Sequence, residues 1–404
     1  MRDIVETIEI ESAAQIQEAL RAASVQNAPL RIEGGGTRAR LGRYAPAARI
    51  LRSARLSGIT LYEPEELVLS ARAGTPLREI EALLERNNQQ LAFEPMDHAA
   101  LYGGQRRAST IGGVIAVNAA GPRRIKAGAA RDHLLGFTGV TGRGDIVKSG
   151  GRVMKNVTGF DLSKLVCGSF GTLLFLTEVT LKVLPKAETE QTILLLDVDE
   201  AEGLRLLRRA SATPYEVSGY ALTPAGVVHG VDVNAAALRI EGPKLSVSAR
   251  REALIAALAG AQARCAILQP TQSAGFWASL RDVEPIASLD ADVWRLSVAP
   301  SEAFEVVDAI RRAGAPIRAH YYDWAGGLIW LALAPSEEAY ASLVRAAIDA
   351  RGGHATLVRG GETTRGKVDV FHPQPASLAT LTRRVKDAFD PLHILERGRM
   401  RAEF

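Results

Sequence analysis

Twelve of the chain's glycines fall between Gly103 and Gly151, with short polar side chains set among them. The order is Ser109-Thr110-Ile111-Gly112-Gly113, then Asn118-Ala119-Ala120-Gly121, then Thr141-Gly142-Arg143-Gly144-Asp145. Glycine accepts positive φ and lets main chain approach a neighbour closely, so this density points to backbone wrapped around a ligand. An upstream triplet, Gly34-Gly35-Gly36-Thr37, closes the run Leu30–Glu33. Successive N–H groups in such a turn form an anion nest. The common nucleotide fingerprints are missing: there is no G-x-x-x-x-G-K-S/T, and the triplet lacks G-x-G-x-x-G spacing and a following helix. Each segment alone reads equally as a turn satisfied by its own side chains. Two in one domain favour an elongated, phosphate-bearing cofactor held by backbone amides.

Other chemistry-bearing residues are scattered. His320, His354, His372 and His393 have no H-x-H or H-x-x-x-H companion, so no metal site is expected. The two cysteines, Cys167 and Cys265, argue against a disulfide framework or a cysteine-ligated cluster within the chain, and Cys167 reads as a packing thiol. A formal charge of +4 on 404 residues is too small to imply nucleic-acid binding. Arg106-Arg107 and Arg123-Arg124 are expected to face phosphates or solvent, and Arg365 solvent. No apolar run reaches the roughly 18–20 residues that span a bilayer, so no direct membrane span is expected. The acidic start Met1–Glu6 lacks the apolar core of a signal peptide, and a cytoplasmic location is expected.

The elements that must position these residues change character along the chain. Residues 12–24 read as a helix capped by Ser12, Leu30–Glu33 and Glu66–Arg72 as strands, and 76–88 as a helix with Thr75 as cap and Pro76 in its first turn. Val114–Val117 is apolar and β-branched. Gly136–Val147 predicts two short strands around a turn, Phe160–Leu165 a helix, and Thr172–Leu184 a long strand. After Pro185–Glu188, short strands alternate with amphipathic helices, among them a helix over Ser336–Arg351. That texture predicts an antiparallel sheet with helices on one face, built as two ferredoxin-like halves. The fold class is therefore α+β in two domains, with boundaries at 1–186, 187–385 and a tail over 386–404.

The glycine segments resemble the vanillyl-alcohol-oxidase-type (PCMH-type) FAD-binding domain. Gly34–Leu41 matches that family's first, pyrophosphate-wrapping loop, and Ser109–Gly113 with Asn118–Gly121 its second flavin-contacting segment. Gly168-Ser169-Phe170-Gly171-Thr172-Leu173, followed by Leu176–Lys182, matches the strand that passes the adenine end. A narrower likeness joins Gly150–Leu162 and Phe389–Met400 to the smaller flavin-binding (E) subunit of bacterial glycolate oxidase. This chain carries Glu396-Arg397 where that family has Asn-Pro. The resemblance is strong over residues 5–186 and rests further on mainly on length and the tail.

The resemblance implies FAD, bound non-covalently because Thr37-Arg38-Ala39-Arg40-Leu41 lacks the histidine that anchors flavin in some relatives. His98 and His133 read as ordinary loop residues. The implied cofactor contacts are Gly34, Gly35, Gly36, Thr37, Arg38, Ala39, Pro95, Ser109, Thr110, Ile111, Gly112, Gly113, Asn118, Gly121, Thr158, Gly159, Gly168, Gly171, Glu178 and Val179. Hydroxy-acid oxidation needs a cation for the carboxylate and a base for the hydroxyl proton, with flavin taking the hydride. Lys155, His320 and Tyr322 are the candidates for that chemistry, and Lys155, Arg123 and Arg365 for the carboxylate. His320–Trp324 reads alternatively as a plain strand and turn. The closely spaced histidine pair of the catalytic glycolate oxidase subunit is missing. The implied role is the FAD-binding subunit of a complex that oxidises glycolate or D-lactate, beside a catalytic flavoprotein and an iron–sulfur subunit. Membrane association would come through those partners, and the second domain would cap the isoalloxazine. The alternatives are a self-sufficient 2-hydroxy-acid dehydrogenase and a non-catalytic assembly or electron-relay subunit.

Overall fold

The structure is a computed structural model and describes residues 5–104, 108–151, 160–258 and 263–404. The chain divides into two compact units. One comprises Met1–Ala120, Gly128–Lys186 and Pro373–Phe404, and the other Gly121–Ala127 and Ala187–His372.

Besides a short antiparallel pairing of Gln89–Gln90 with Leu184–Pro185, the first unit holds two small sheets. Glu6–Glu9, Arg49–Arg52 and Leu30–Glu33 pair in parallel, in that order. The helix Ala13–Gln26 begins at Ser12, whose hydroxyl accepts from the Gln15 amide while the Gln15 side chain accepts from the Ser12 amide. This reciprocal cap fixes the helix start that the sequence predicts. Its inner face buries Ile16 and Leu20, each contributing about 2 kcal/mol to a core shared with Leu30, Leu51, Phe175, Ile394 and Leu395. The second sheet is antiparallel, in the order Ile59–Glu63, Val68–Arg72, Leu174–Lys182, Leu134–Thr141, Ile146–Gly150.

One local expectation for this unit changes, and one apolar segment takes a form its composition disfavours. Pro76, not Thr75, is the N-cap of the helix Leu77–Arg86. The Thr75 hydroxyl instead bonds the Arg72 and Gly58 carbonyls and accepts from the Gly58 amide. Val114–Val117, for all its β-branched residues, lies in the helix Ile111–Val117. Thr110 caps it and Ile111, Val114 and Ile115 are buried, so tertiary packing overrides propensity.

In the second unit one antiparallel sheet of eight strands runs Arg264–Leu268, Thr189–Leu196, Ala235–Gly242, Gly219–Thr223, Ile317–Asp323, Leu328–Leu333, Asp292–Val298, Gly353–Arg359. Each half follows β-α-β-β-α-β, and within each half the strands lie in the order fourth, first, third, second. These are the two ferredoxin-like halves that the alternating texture predicts. They meet where Leu222 pairs with Tyr322. The helices Glu200–Ser211, Lys244–Ala257, Ala303–Arg312 and Ala341–Asp349 cover one face, burying Ile193, Leu238, Trp294 and Ile329 among others. The last of these helices starts five residues later than expected, because Ala339 and Tyr340 take left-handed φ of 48° and 54°.

Candidate cofactor-binding site

The first unit contains an open cleft. Its wall is built by the turn Gly34–Ala39, the start of the helix Ile111–Val117 and the segment Ser169–Leu176, with Arg399 from the C-terminal segment. Three stretches far apart in sequence therefore converge. Among the described residues, the N–H groups of Gly34, Gly35, Gly36 and Thr37 donate to no other protein group. Four adjacent unengaged amides at a cleft wall, with Gly36 at φ +73°, form the concavity that suits a pyrophosphate.

The glycines also serve a second purpose. A Cβ on Gly35 would lie 1.6 Å from the Ala108 carbonyl oxygen, and one on Gly112 would lie 2.7 Å from Ala73 Cβ. These residues let the cleft's segments press against one another as well as against a ligand. Arg38 is buried and spans them, donating to the Ser109 hydroxyl at 2.6 Å and to the Met96 carbonyl at 2.7 Å. The tail completes the wall. Leu30 donates to Ile394 and accepts from Glu396, while Glu396 Oε1 accepts from the Ile32 amide at 2.7 Å. Arg399 holds Glu396 at 2.9 Å and donates to the Arg38 and Leu41 carbonyls. Glu396 therefore supplies a carboxylate that fastens the first glycine loop.

The expected contacts separate into groups. Gly34, Gly35, Gly36, Thr37, Arg38, Ala39, Thr110, Gly112, Gly113 and Gly171 line the cleft. Ser109, Ile111 and Pro95 are buried behind it. Asn118 ends the helix at φ 53°, and its side chain accepts from the Arg131 amide and the Cys167 thiol. Gly121 belongs to the second unit, where its carbonyl accepts from the Trp324 indole. Gly168 lines an apolar groove beside Leu378 and Leu381, and Glu178 a separate groove on the five-stranded sheet. Val179 is fully buried. Thr158, Gly159, Lys155, Arg106 and Arg107 lie outside the described residues. Sequence reasoning missed Ser53 and Ala73, which line the cleft without any motif to mark them, and did not single out Phe170 and Arg399, although both fall within the matched segments. His98 and His133 do not line it; His98 stacks on Tyr102 and His133 packs on Phe93.

The candidates for reaction chemistry sit in the second unit. His320 Nε2 and the Tyr322 hydroxyl both bond Glu200 Oε2, at 2.8 and 2.7 Å, and Arg311 lies 3.4 Å from the other oxygen. Burial pushes the Glu200 carboxyl up, but the hydrogen bonds and Arg311 outweigh it and hold the group at about 2. Tyr322 is driven well above the ordinary tyrosine range by burial and by Glu200. Tyr322 belongs to the core under the helices, so this cluster ties strand to helix. Two basic residues differ from expectation. Arg365 is buried and bonds the Gly360 carbonyl, and Arg123 makes a bidentate pair with Glu241 at 2.6 and 3.0 Å. Among the described residues no three His, Cys, Asp or Glu side chains are grouped to hold a metal ion, and no helix is long and apolar enough to cross a membrane.

A family model described as "FAD binding domain" matches residues 6–150. Glycolate oxidase subunit GlcE of Escherichia coli (strain K12) is 34% identical over 398 residues, 98% of this chain and 99% of that protein. Glycolate oxidase subunit GlcD of Bacillus subtilis (strain 168) is 42% identical over 104 residues, 26% of this chain and 21% of that protein. Among solved structures, p-cresol methylhydroxylase with substrate bound superposes with a TM-score of 0.70 at 12% identity, covering 98% of this chain and 88% of that one. That last likeness concerns the fold.

Proposed function

The chain belongs to the glycolate oxidase subunit GlcE family of FAD-linked oxidoreductases, and from that premise we propose that it is the flavin-carrying subunit of a complex oxidising glycolate or D-lactate. It is an FAD-dependent oxidoreductase of the hydroxy-acid class. The observation that carries the proposal is the row of unengaged amides at Gly34–Thr37, facing a cleft built from three separate segments.

These amides receive the pyrophosphate, and Thr110, Gly112 and Gly113 leave room for the rest of the cofactor. Arg38, Ser109, Glu396 and Arg399 hold the loops in place. Bound flavin supplies hydride acceptance from the carbinol carbon of a hydroxy acid. Attachment is non-covalent, since the first loop from Thr37 to Leu41 offers no histidine. The first unit carries the cofactor and the second serves the substrate. A catalytic flavoprotein and an iron–sulfur subunit complete the assembly, and any membrane association comes through them.

The test is anaerobic titration of the FAD-loaded chain with glycolate and with D-lactate. We expect the visible flavin absorbance to persist in the isolated chain and to bleach once the partner subunits are added. Full bleaching of the isolated chain would instead make it a self-sufficient dehydrogenase. A chain that cannot be reconstituted with FAD overturns the proposal.

A further inference from the structure

The strand Leu30–Glu33 turns Leu30 and Ile32 into the core shared with the helix Ala13–Gln26. Side chains alternate along a strand, so Arg31 and Glu33 leave from the opposite face. Glu33 ends the strand at the cleft wall, directly before the row of unengaged amides. Its backbone is pinned, with the Ser53 amide donating to its carbonyl at 2.7 Å. Its carboxylate lies against the row: Oε2 stands 3.9 Å from the place that a Cβ on Gly36 would take.

The Glu33 side chain is only 10% exposed, yet among the described residues its carboxylate takes part in no hydrogen bond. Two guanidiniums stand near it and neither closes the gap. Arg52, its cross-strand partner, lies 3.8 Å from Oε2, and Arg31 lies 4.0 Å from Oε1. Both donate elsewhere, Arg31 to the Ala45 carbonyl at 2.9 Å and Arg52 to Glu9 at 3.3 Å. At these separations the arginines offset the negative charge and leave the acceptor sites of the oxygens open. A largely buried acceptor without a donor is costly, so the group calls for a donor that arrives through the cleft.

The amides and the carboxylate make opposite demands. Adjacent N–H groups suit an anion, whereas an acidic side chain accepts from a hydroxyl and repels a second anion. A ligand that meets both demands carries an alcohol a few bonds from a phosphate. In FAD, hydroxyls flank the pyrophosphate on both sides, on the adenosine ribose and on the ribityl chain. An acidic side chain on a sugar hydroxyl completes the phosphate site of other dinucleotide folds in the same way. We propose that Glu33 accepts a hydrogen bond from a sugar hydroxyl of FAD, reading the sugar where the glycine row reads the phosphates. The assignment rests on the pyrophosphate placement proposed above and adds to it the group that lies alongside.

Fluorescence titration of the full chain, freed of flavin, tests this with three probes: FAD, an analogue whose adenosine ribose lacks its hydroxyls, and an analogue whose ribityl chain lacks them. All three keep the pyrophosphate. We expect at least one analogue to bind about tenfold more weakly than FAD, the scale of one hydrogen bond to a charged group. The identity of that analogue says which sugar Glu33 meets. Glu33→Leu should weaken FAD by the same factor and bind FAD and that analogue alike. Glu33→Gln is nearly isosteric and keeps one acceptor oxygen, so it should fall between, and it gives the reading should the leucine variant fold poorly. Undiminished affinity of wild type for both analogues overturns the assignment. So does a penalty that persists in Glu33→Leu, or tighter FAD binding by that variant through relief of repulsion against the phosphates. Failure of all three probes to bind wild type overturns the pyrophosphate placement itself, and this assignment with it.

Discussion

Gly35 joins two requirements at one atom. Its amide is part of the unengaged row at the cleft, and its α-carbon faces the Ala108 carbonyl so closely that no Cβ fits. Gly35→Ala must therefore push the first glycine loop off the second. The expected result is loss of most bound FAD, at least tenfold in affinity, judged by the ratio of flavin to protein absorbance after gel filtration. Gly144→Ala is the control: no heavy atom lies within 4 Å of its added Cβ, and although φ is +85° the turn is remote from the cleft. Equal FAD content in the Gly35 variant and wild type would refute the crowding argument. The glycines themselves were legible in the sequence, and so was the FAD-binding character of the domain. Their role as spacers between loops was not, because it depends on which distant backbone arrives at each one. Glu33 was invisible for the same reason: nothing local distinguishes it from a surface glutamate at the end of a short strand.

At the scale of elements, the segment Gly121–Ala127 is the instructive one. It follows directly on Ala120 in the sequence and is fastened to the strand Ala235–Gly242 by Arg123 and Glu241. Burial would raise the Glu241 carboxyl, but Arg239 and Arg123 outweigh it and hold the group at about 2. A depressed carboxylate stabilises the fold above its unfolded pKa, near 4.5, and that contribution disappears as the pH falls toward 2. Arg123→Met leaves Glu241 with Arg239 and the Ser218 hydroxyl. We expect a loss of about 3 kcal/mol at pH 7, with a shallower fall in stability between pH 4.5 and 2 than in wild type, both from urea unfolding at a series of pH values. Additivity between Arg123→Met and Glu241→Gln would mean that the pair does not act as a unit. Most strands and helices of the second unit were legible from alternation and amphipathic spacing, and so was the pair of ferredoxin-like halves. The strands Glu6–Glu9, Arg49–Arg52 and Ile59–Glu63 were not read from sequence: each has only four or five residues and partly exposed side chains, so periodicity has little to grip.

Over the whole molecule the first unit is closed by residues from both ends of the sequence. Lys386 is buried and donates to Asp390 at 2.6 Å and to the Thr172 and Leu395 carbonyls. Asp390 in turn accepts from the Ile394 and Leu395 amides. Lys386→Met strands the Asp390 charge in the interior, which costs about 3–5 kcal/mol. The expected outcome is early tryptic cleavage after Arg397 or Arg399 together with faster FAD loss, followed by mass spectrometry and flavin release; a variant that resists trypsin like wild type would count against this anchoring role. The bonds that Glu396 makes to Ile32 and Arg399 were not legible, because they depend on a strand more than 350 positions away. The bond from the Ile32 amide to Glu396 spans 364 positions. During synthesis, then, the loop at Gly34–Thr37 emerges more than 350 residues before the carboxylate that fastens the strand leading into it. A polypeptide released before Glu396 therefore leaves the ribosome with that loop unlatched.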